Sequence, residues 1–338
     1  MGQRFTILYF LFTFFCITLT AQNKLTPRDG EGIHAFLRRH KCTNAGDYDN
    51  FLSLNKGKFG KNHSLLKGVS YKLPTTTTAE ESTTVTQPAS YSSSGTKKKY
   101  ALFGKKYEEY TVKSNQLKGA TFFLSSGHGG PDSGAVGWVN GHELHEDEYA
   151  YDITLRLARC LMEEGATVHM IIQDAKDGIR DDVYLQNSKR ETCMGKPIPL
   201  NQLARLKQRS DKINELSKKS NSKYQRAVFI HVDSRSKKKQ LDVFFYHAPK
   251  SKGGEKIAKT MRTTFNEHYA KHQPSRGFSG TVSARDLYVL KNTTPVGLFA
   301  ELGNIQNGFD QRRILQADNR QALANWLCRG FIKDYKNR

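Results

Sequence analysis

From residue 100 onward the chain alternates short, continuous apolar runs with amphipathic ones. Residues 120–124 (ATFFL) predict a buried strand that runs into a glycine-rich turn. Over 149–164, Ala150, Ile153, Leu157 and Leu161 recur on one stripe, as on a helix with one face against a core. Residues 166–172, 227–232, 241–246, 287–290 and 297–301 predict further strands, and 254–268 and 319–335 predict helices. Strand–helix alternation of this kind predicts one α/β domain over 100–338, a mostly parallel sheet flanked by helices. Ligands of such sheets collect at the carboxyl ends of the strands. The positions to inspect are therefore 125–130, 231–234 and Glu301.

Upstream the pattern changes. Residues 25–74 predict a compact small domain. Residues 75–99 read TTTTAEESTTVTQPASYSSSGTKKK, with few large apolar residues and no periodicity. Such a stretch buries too little surface to offset its ordering entropy, which predicts a flexible linker. Residues 1–21 combine a basic start, an apolar run over 5–19 and small residues at Thr20-Ala21, the plan of a secretory signal peptide. The apolar run is short for a bilayer span, although an uncleaved anchor is the competing reading.

Composition fits this organisation. Hydrophobic residues make up 37% and charged residues 25%, near the values of a soluble globular chain. Lys and Arg number 53 against 32 Asp and Glu, for a net charge of +21. So basic a chain suits a polyanion: nucleic acid, acidic lipid or cell-wall polymer. Export, as expected from the signal-like segment, argues against nucleic acid. Cys16 lies within the apolar run, and the wide spacing of Cys42, Cys160, Cys193 and Cys328 matches neither a disulfide scaffold nor a cysteine-based zinc site.

The candidate chemistry sits at the strand ends. His128 lies in SSGHGGPDSGAVG, where glycines at 127, 129 and 130 permit the tight backbone that projects an imidazole from the sheet edge. His231 ends the run VFIHVDS, and Glu146 precedes the helix that begins near Tyr149. Two histidines and a carboxylate from separate elements match a catalytic zinc site with its fourth position open. Glu301, in LFAELGN, could take a proton from water there. The competing readings are a phosphate-binding or helix-capping turn, a structural strand-end histidine, and an ion pair between Glu301 and a basic residue.

LSSGHGGPDSGAVG, LHEDEYAYDITLRLARCLMEEGATV, FIHVDS and LYVLKNTTPVGLFAELGNIQN, in that order, resemble the motifs of zinc-dependent N-acetylmuramoyl-L-alanine amidases of the Amidase_3 type. The resemblance covers 118–333. It implies one Zn2+ per chain on His128, Glu146 and His231, with Glu301 as the catalytic carboxylate. Arg209 and Asn214, in QRSDKIN, look like the family's Arg and Asn, with helix packing as their bland role; Arg209, Asp233 and Asn292 are candidate substrate-binding residues. Three departures stand out. Residues 138–145 lengthen the path to Glu146 and bring His142, His145 and the rival carboxylate Glu148 close. Residues 174–200, with Arg180, Asp181, Asp182 and Cys193, form a long excursion that either lines the substrate groove or is a surface feature. FIHVDSRSKKK replaces the more usual Ala-Asn after the histidine and adds basic charge.

GEGIHAFLRRHKC, YDNFLSLN and SLLKGVSYKLP resemble a LysM module, a small βααβ fold that binds N-acetylglucosamine-containing glycans; a generic small α+β domain is the alternative. Together the resemblances imply an exported peptidoglycan hydrolase of the periplasm or cell wall. It would cut the amide between the lactyl group of N-acetylmuramic acid and L-alanine of the stem peptide. Peptidoglycan is the expected partner, with no nucleic acid, no stable membrane span after signal cleavage, and any protein activator unidentified. The elements expected between His231 and the late strand leave no segment for a plug over the site. An inactive wall-binding protein and a zinc peptidase of other specificity are the alternatives.

Overall fold

The computed structural model describes residues 24–28, 31–40, 42, 47–60, 64–74, 96–234, 240–273 and 277–338. The signal-like segment 1–21 and all but the last few residues of the expected linker lie outside them. The chain divides into two compact units, Met1–Thr84 and Val85–Arg338.

In the first unit, strand Lys24–Leu25 pairs antiparallel with Tyr71–Lys72, and helices Ile33–Arg39 and Asp47–Leu54 lie between them in the chain. Ile33, Phe36, Leu37, Phe51 and Tyr71 form its core. Buried Asn55 ties the second helix to the closing strand. Its Nδ2 donates to the Phe51 and Lys72 carbonyls at 2.9 and 2.8 Å, and its Oδ1 accepts the Lys72 amide at 2.8 Å.

The second unit is a three-layer α/β arrangement. Its strands are β1 (Ala120–Ser126), β2 (Thr167–Met170), β3 (Tyr224–Asp233), β4 (Phe244–His247), β5 (Thr281–Ala284) and β6 (Val296–Asn304). They form one sheet in the order β5-β4-β6-β3-β1-β2, parallel throughout except for the antiparallel pair β4 and β6. The main helices are α1 (Glu146–Glu163), α2 (Gln202–Lys219), α3 (Lys252–His272), α4 (Gly308–Leu315) and α5 (Ala317–Lys336). Alternation along the strands separates the two cores. Phe122, Leu124, Val228, Ile230 and Leu298 face Ile153 and Leu157 of α1, Phe265 of α3 and Leu327 of α5. Phe123, Ala227, Phe229 and Phe299 face Ile213 of α2. The central strands are thus buried on both sides, which is why they read as unbroken apolar runs.

Two expectations change. Residues 287–290 were expected as a strand but form the short helix Tyr288–Lys291, and Thr281–Ala284 is the strand beside β4. A four-residue apolar run carries no period that separates the two states. Tertiary packing decides it, for a side chain at Gly297 would lie 2.8 Å from Leu290 Cδ2, so the glycine makes room for the helix. Lys97–Lys99, expected inside the linker, pairs with Glu109–Thr111 instead. Acidic neighbours offset the lysine run there, with Lys99 Nζ 3.4 Å from Glu108 and 3.3 Å from Glu109.

Candidate metal centre and active site

β1 and β3 run side by side, their pairing ending at Ser126 and Ile230, which places the segments after Ser126 and around His231 at one sheet edge. The Gly127 amide donates to the Ile230 carbonyl at 2.7 Å, and any Cβ at Gly127 would stand 2.4 Å from the His231 ring. His128 itself takes a left-handed backbone, with φ of 53°. Such a conformation is uncommon for a residue with a side chain and persists where surrounding contacts over-determine it. Further on, Gly134 clears the way for Glu146: a Cβ there would meet Glu146 Oε2 and His128 Cδ2, each at 2.7 Å.

Glu146 is the first residue of α1 and sits buried between the two histidines. His128 Nε2 lies 3.2 Å from its Oε2 and His231 Nδ1 lies 3.0 Å from its Oε1. The amides of Ala135 and Val232 donate to the same two oxygens at 2.9 and 3.1 Å. One ligand-type atom from each of His128, Glu146 and His231 falls within 4.8 Å of the others. Burial works against the Glu146 charge, but the paired histidines hold the carboxyl well below its usual range. Burial likewise opposes a charge on His128, yet Asp132 and Glu146 outweigh it and push the imidazole up to about 10. His231 goes the other way, since burial pulls it down.

The donor set, two imidazole nitrogens and one carboxylate, is the kind that holds catalytic zinc. A second feature fits the same reading. The outward nitrogen of His128, Nδ1, bonds Asp132 Oδ2 at 2.9 Å, and Arg205 Nη2 braces that carboxylate at 2.7 Å. Carboxylates behind metal-binding histidines fix the ring and its tautomer in this way.

Glu301 stands opposite His231 in the parallel register of β3 and β6, so their side chains share a face and neighbour each other. Phe244 of β4 is the next residue in that row. Glu301 is half-buried.

The other sequence candidates scatter. Arg209, a candidate substrate contact, is buried under the His128 turn and donates to the carbonyls of Ser126, at 3.4 Å, and His128. Asn292 caps the short helix through the Tyr288 carbonyl at 2.8 Å and precedes β6, at the opposite end of that strand from Glu301. Asn214 holds that connection by donating to the Asn292 carbonyl at 2.8 Å and accepting from the Thr294 amide at 2.7 Å. Asp233 ends β3 past a register shift, its Oδ1 accepting the Ser234 amide at 2.7 Å. His142 stacks on Tyr184 with centroids 3.8 Å apart, His145 bonds Glu143 at 3.0 Å, and Glu148 turns to Arg180 at 2.8 Å. None of these three joins the His128, Glu146 and His231 group.

A family model described as N-acetylmuramoyl-L-alanine amidase matches residues 123–333. A cell wall amidase of Bacillus anthracis is 24% identical over 235 residues, 66% of this chain but only 37% of that protein. The germination-specific N-acetylmuramoyl-L-alanine amidase of Bacillus subtilis is 23% identical over 221 residues, 64% of this chain and 80% of that protein. Among solved structures, the CwlD amidase of Clostridioides difficile, determined with the GerS lipoprotein, is similar with a TM-score of 0.49. It is 20% identical, with 65% of this chain and 100% of that chain covered.

Proposed function

Because the chain belongs to the N-acetylmuramoyl-L-alanine amidase family, we propose that it hydrolyses the amide between the lactyl group of N-acetylmuramic acid and L-alanine of the peptidoglycan stem. The observation that carries this reading is the convergence of His128, Glu146 and His231 on one point, with Asp132 behind His128 and Glu301 beside His231. These three side chains would hold one zinc ion, which when bound polarises a carbonyl and lowers the pKa of a water. Glu301 accepts the proton of the attacking water and returns it to the departing nitrogen, which leaves poorly as an amide anion. Asp132 keeps His128 Nε2 pointed inward, and Arg205 keeps Asp132 in place. The half-buried row of His231, Glu301 and Phe244 would lie beside the scissile group.

The first unit acts in this proposal as a LysM-like anchor on glycan, joined by the Thr/Ser-rich linker, and the protein works outside the cytoplasm after export. The net charge of +21 suits a wall polymer with free stem carboxylates. An inactive wall-binding protein is less favoured, since such a chain has no need of four polar groups held together at one edge. Mass spectrometry of muropeptides treated with the protein tests the reading. Free stem peptides beginning with L-alanine are expected, with loss of product under a chelator. Cleavage inside the peptide, or no cleavage with zinc supplied, would reject it.

A further inference from the structure

Resting on that reading, we propose that the 174–200 excursion is a clamp on the metal turn and that Glu191 is its positioning residue. The turn around His128 needs support from every side, because a non-glycine residue at φ of 53° does not hold itself. Arg209 takes the His128 carbonyl and Asp132 takes Nδ1, both from residues outside the excursion. The amide of Gly130 is left. It is buried, and Glu191 Oε2 accepts it at 2.8 Å.

The excursion lies flush on the turn at this point. A Cβ at Gly129 would stand 3.4 Å from Glu191 Cβ, and one at Gly130 would stand 3.1 Å from Ile198 Cβ. Glu191 is itself positioned by the strand that follows it, Thr192–Cys193, which pairs with Ile172–Gln173 on one side and Lys196–Pro197 on the other. The same excursion grips the start of α1. Arg180 Nη1 bonds Glu148 Oε2 at 2.8 Å, the Arg180 amide donates to Asp152 Oδ1 at 2.8 Å, and the Ser188 amide donates to Glu148 Oε1. One segment thereby spans the backbone carrying His128 and the backbone carrying Glu146. Those two ligands must keep a fixed separation for a metal to bind.

Glu191 shares its surroundings with two further buried carboxylates, Asp147 and Glu148, all within 4.8 Å of one another. What the turn requires of Glu191 is the oxygen that accepts the Gly130 amide. An amide supplies the same oxygen without the charge. This separates two variants of similar size, Glu191→Gln and Glu191→Met.

The experiment measures zinc dissociation constants by chelator competition on full-length protein, with kcat and KM on a disaccharide-peptide. Glu191→Gln should bind zinc as the wild type does. Glu191→Met should bind about tenfold more weakly, the usual scale for losing a group behind a metal ligand, with kcat lowered and KM unchanged. Equal zinc affinity in all three proteins would overturn the clamp. So would equal weakening in both variants, or a Glu191→Met chain that cannot fold, since each gives Glu191 a different role. Failure of the function itself looks different: the wild type would bind no zinc or release no stem peptide.

Discussion

His128 divides its work between two ring nitrogens, one turned to Glu146 and the other held by Asp132. Asp132→Asn keeps the shape but loses the charge that steadies the ring, and should weaken zinc binding about 10- to 100-fold. Isothermal titration with zinc checks this, and wild-type affinity would make Asp132 a bystander. The two glutamates should part company. Glu301→Gln should retain zinc and lose about 10² to 10⁴ in turnover, whereas Glu146→Gln should lose the metal. Paired metal analysis and rate measurement decide it, and exchanged phenotypes would reverse the roles. His128, Glu146 and His231, whose ligand-type atoms the fold brings together, could be singled out because each stands near a strand end or at a helix start, beside glycines or after an apolar run. Asp132 was within reach too, four residues beyond His128. Arg205 and Glu191 were not, because their partners lie 73 and 61 residues away in sequence. Such pairings depend on how α2 and the excursion fold back, which no local pattern encodes.

The His128 turn and the strand before it behave as one element. Gly127 has no side chain because the His231 ring occupies that space. Gly127→Ala should push the ring aside, destabilise the protein by about 1–3 kcal/mol and abolish zinc retention. Thermal unfolding with and without zinc reads both effects; a variant still stabilised by zinc would show that the ring is not so confined. The central strands and long helices were predicted well because their burial is continuous or one-sided along many residues. Tyr288–Lys291 was misjudged because its conformation is set by the gap above Gly297, a tertiary feature, while its Asn292 cap is too small a local signal to separate helix from strand. The hairpin of Val136–Val139 and His142–His145, which delivers Glu146 to the centre, appeared in the sequence only as extra length.

At the scale of the molecule, the two compact units give a modular expectation. A chain beginning at Thr96 keeps the Lys97–Lys99 pairing and should fold alone. It should cleave soluble disaccharide-peptide about as fast as the whole protein, without an activator, and should lose most of its binding to sacculi. Equal sedimentation of the two proteins with sacculi would remove the anchoring role from the first unit. Silence of the shorter chain on soluble substrate, reversed by trimming 174–200, would turn the clamp into a lid. The central claim is a single metal at one sheet edge, and anomalous diffraction from zinc-soaked crystals at the zinc absorption edge tests it most directly. One peak bounded by His128, Glu146 and His231 is expected. Saturating zinc with no peak there, or a peak elsewhere alone, would contradict the account.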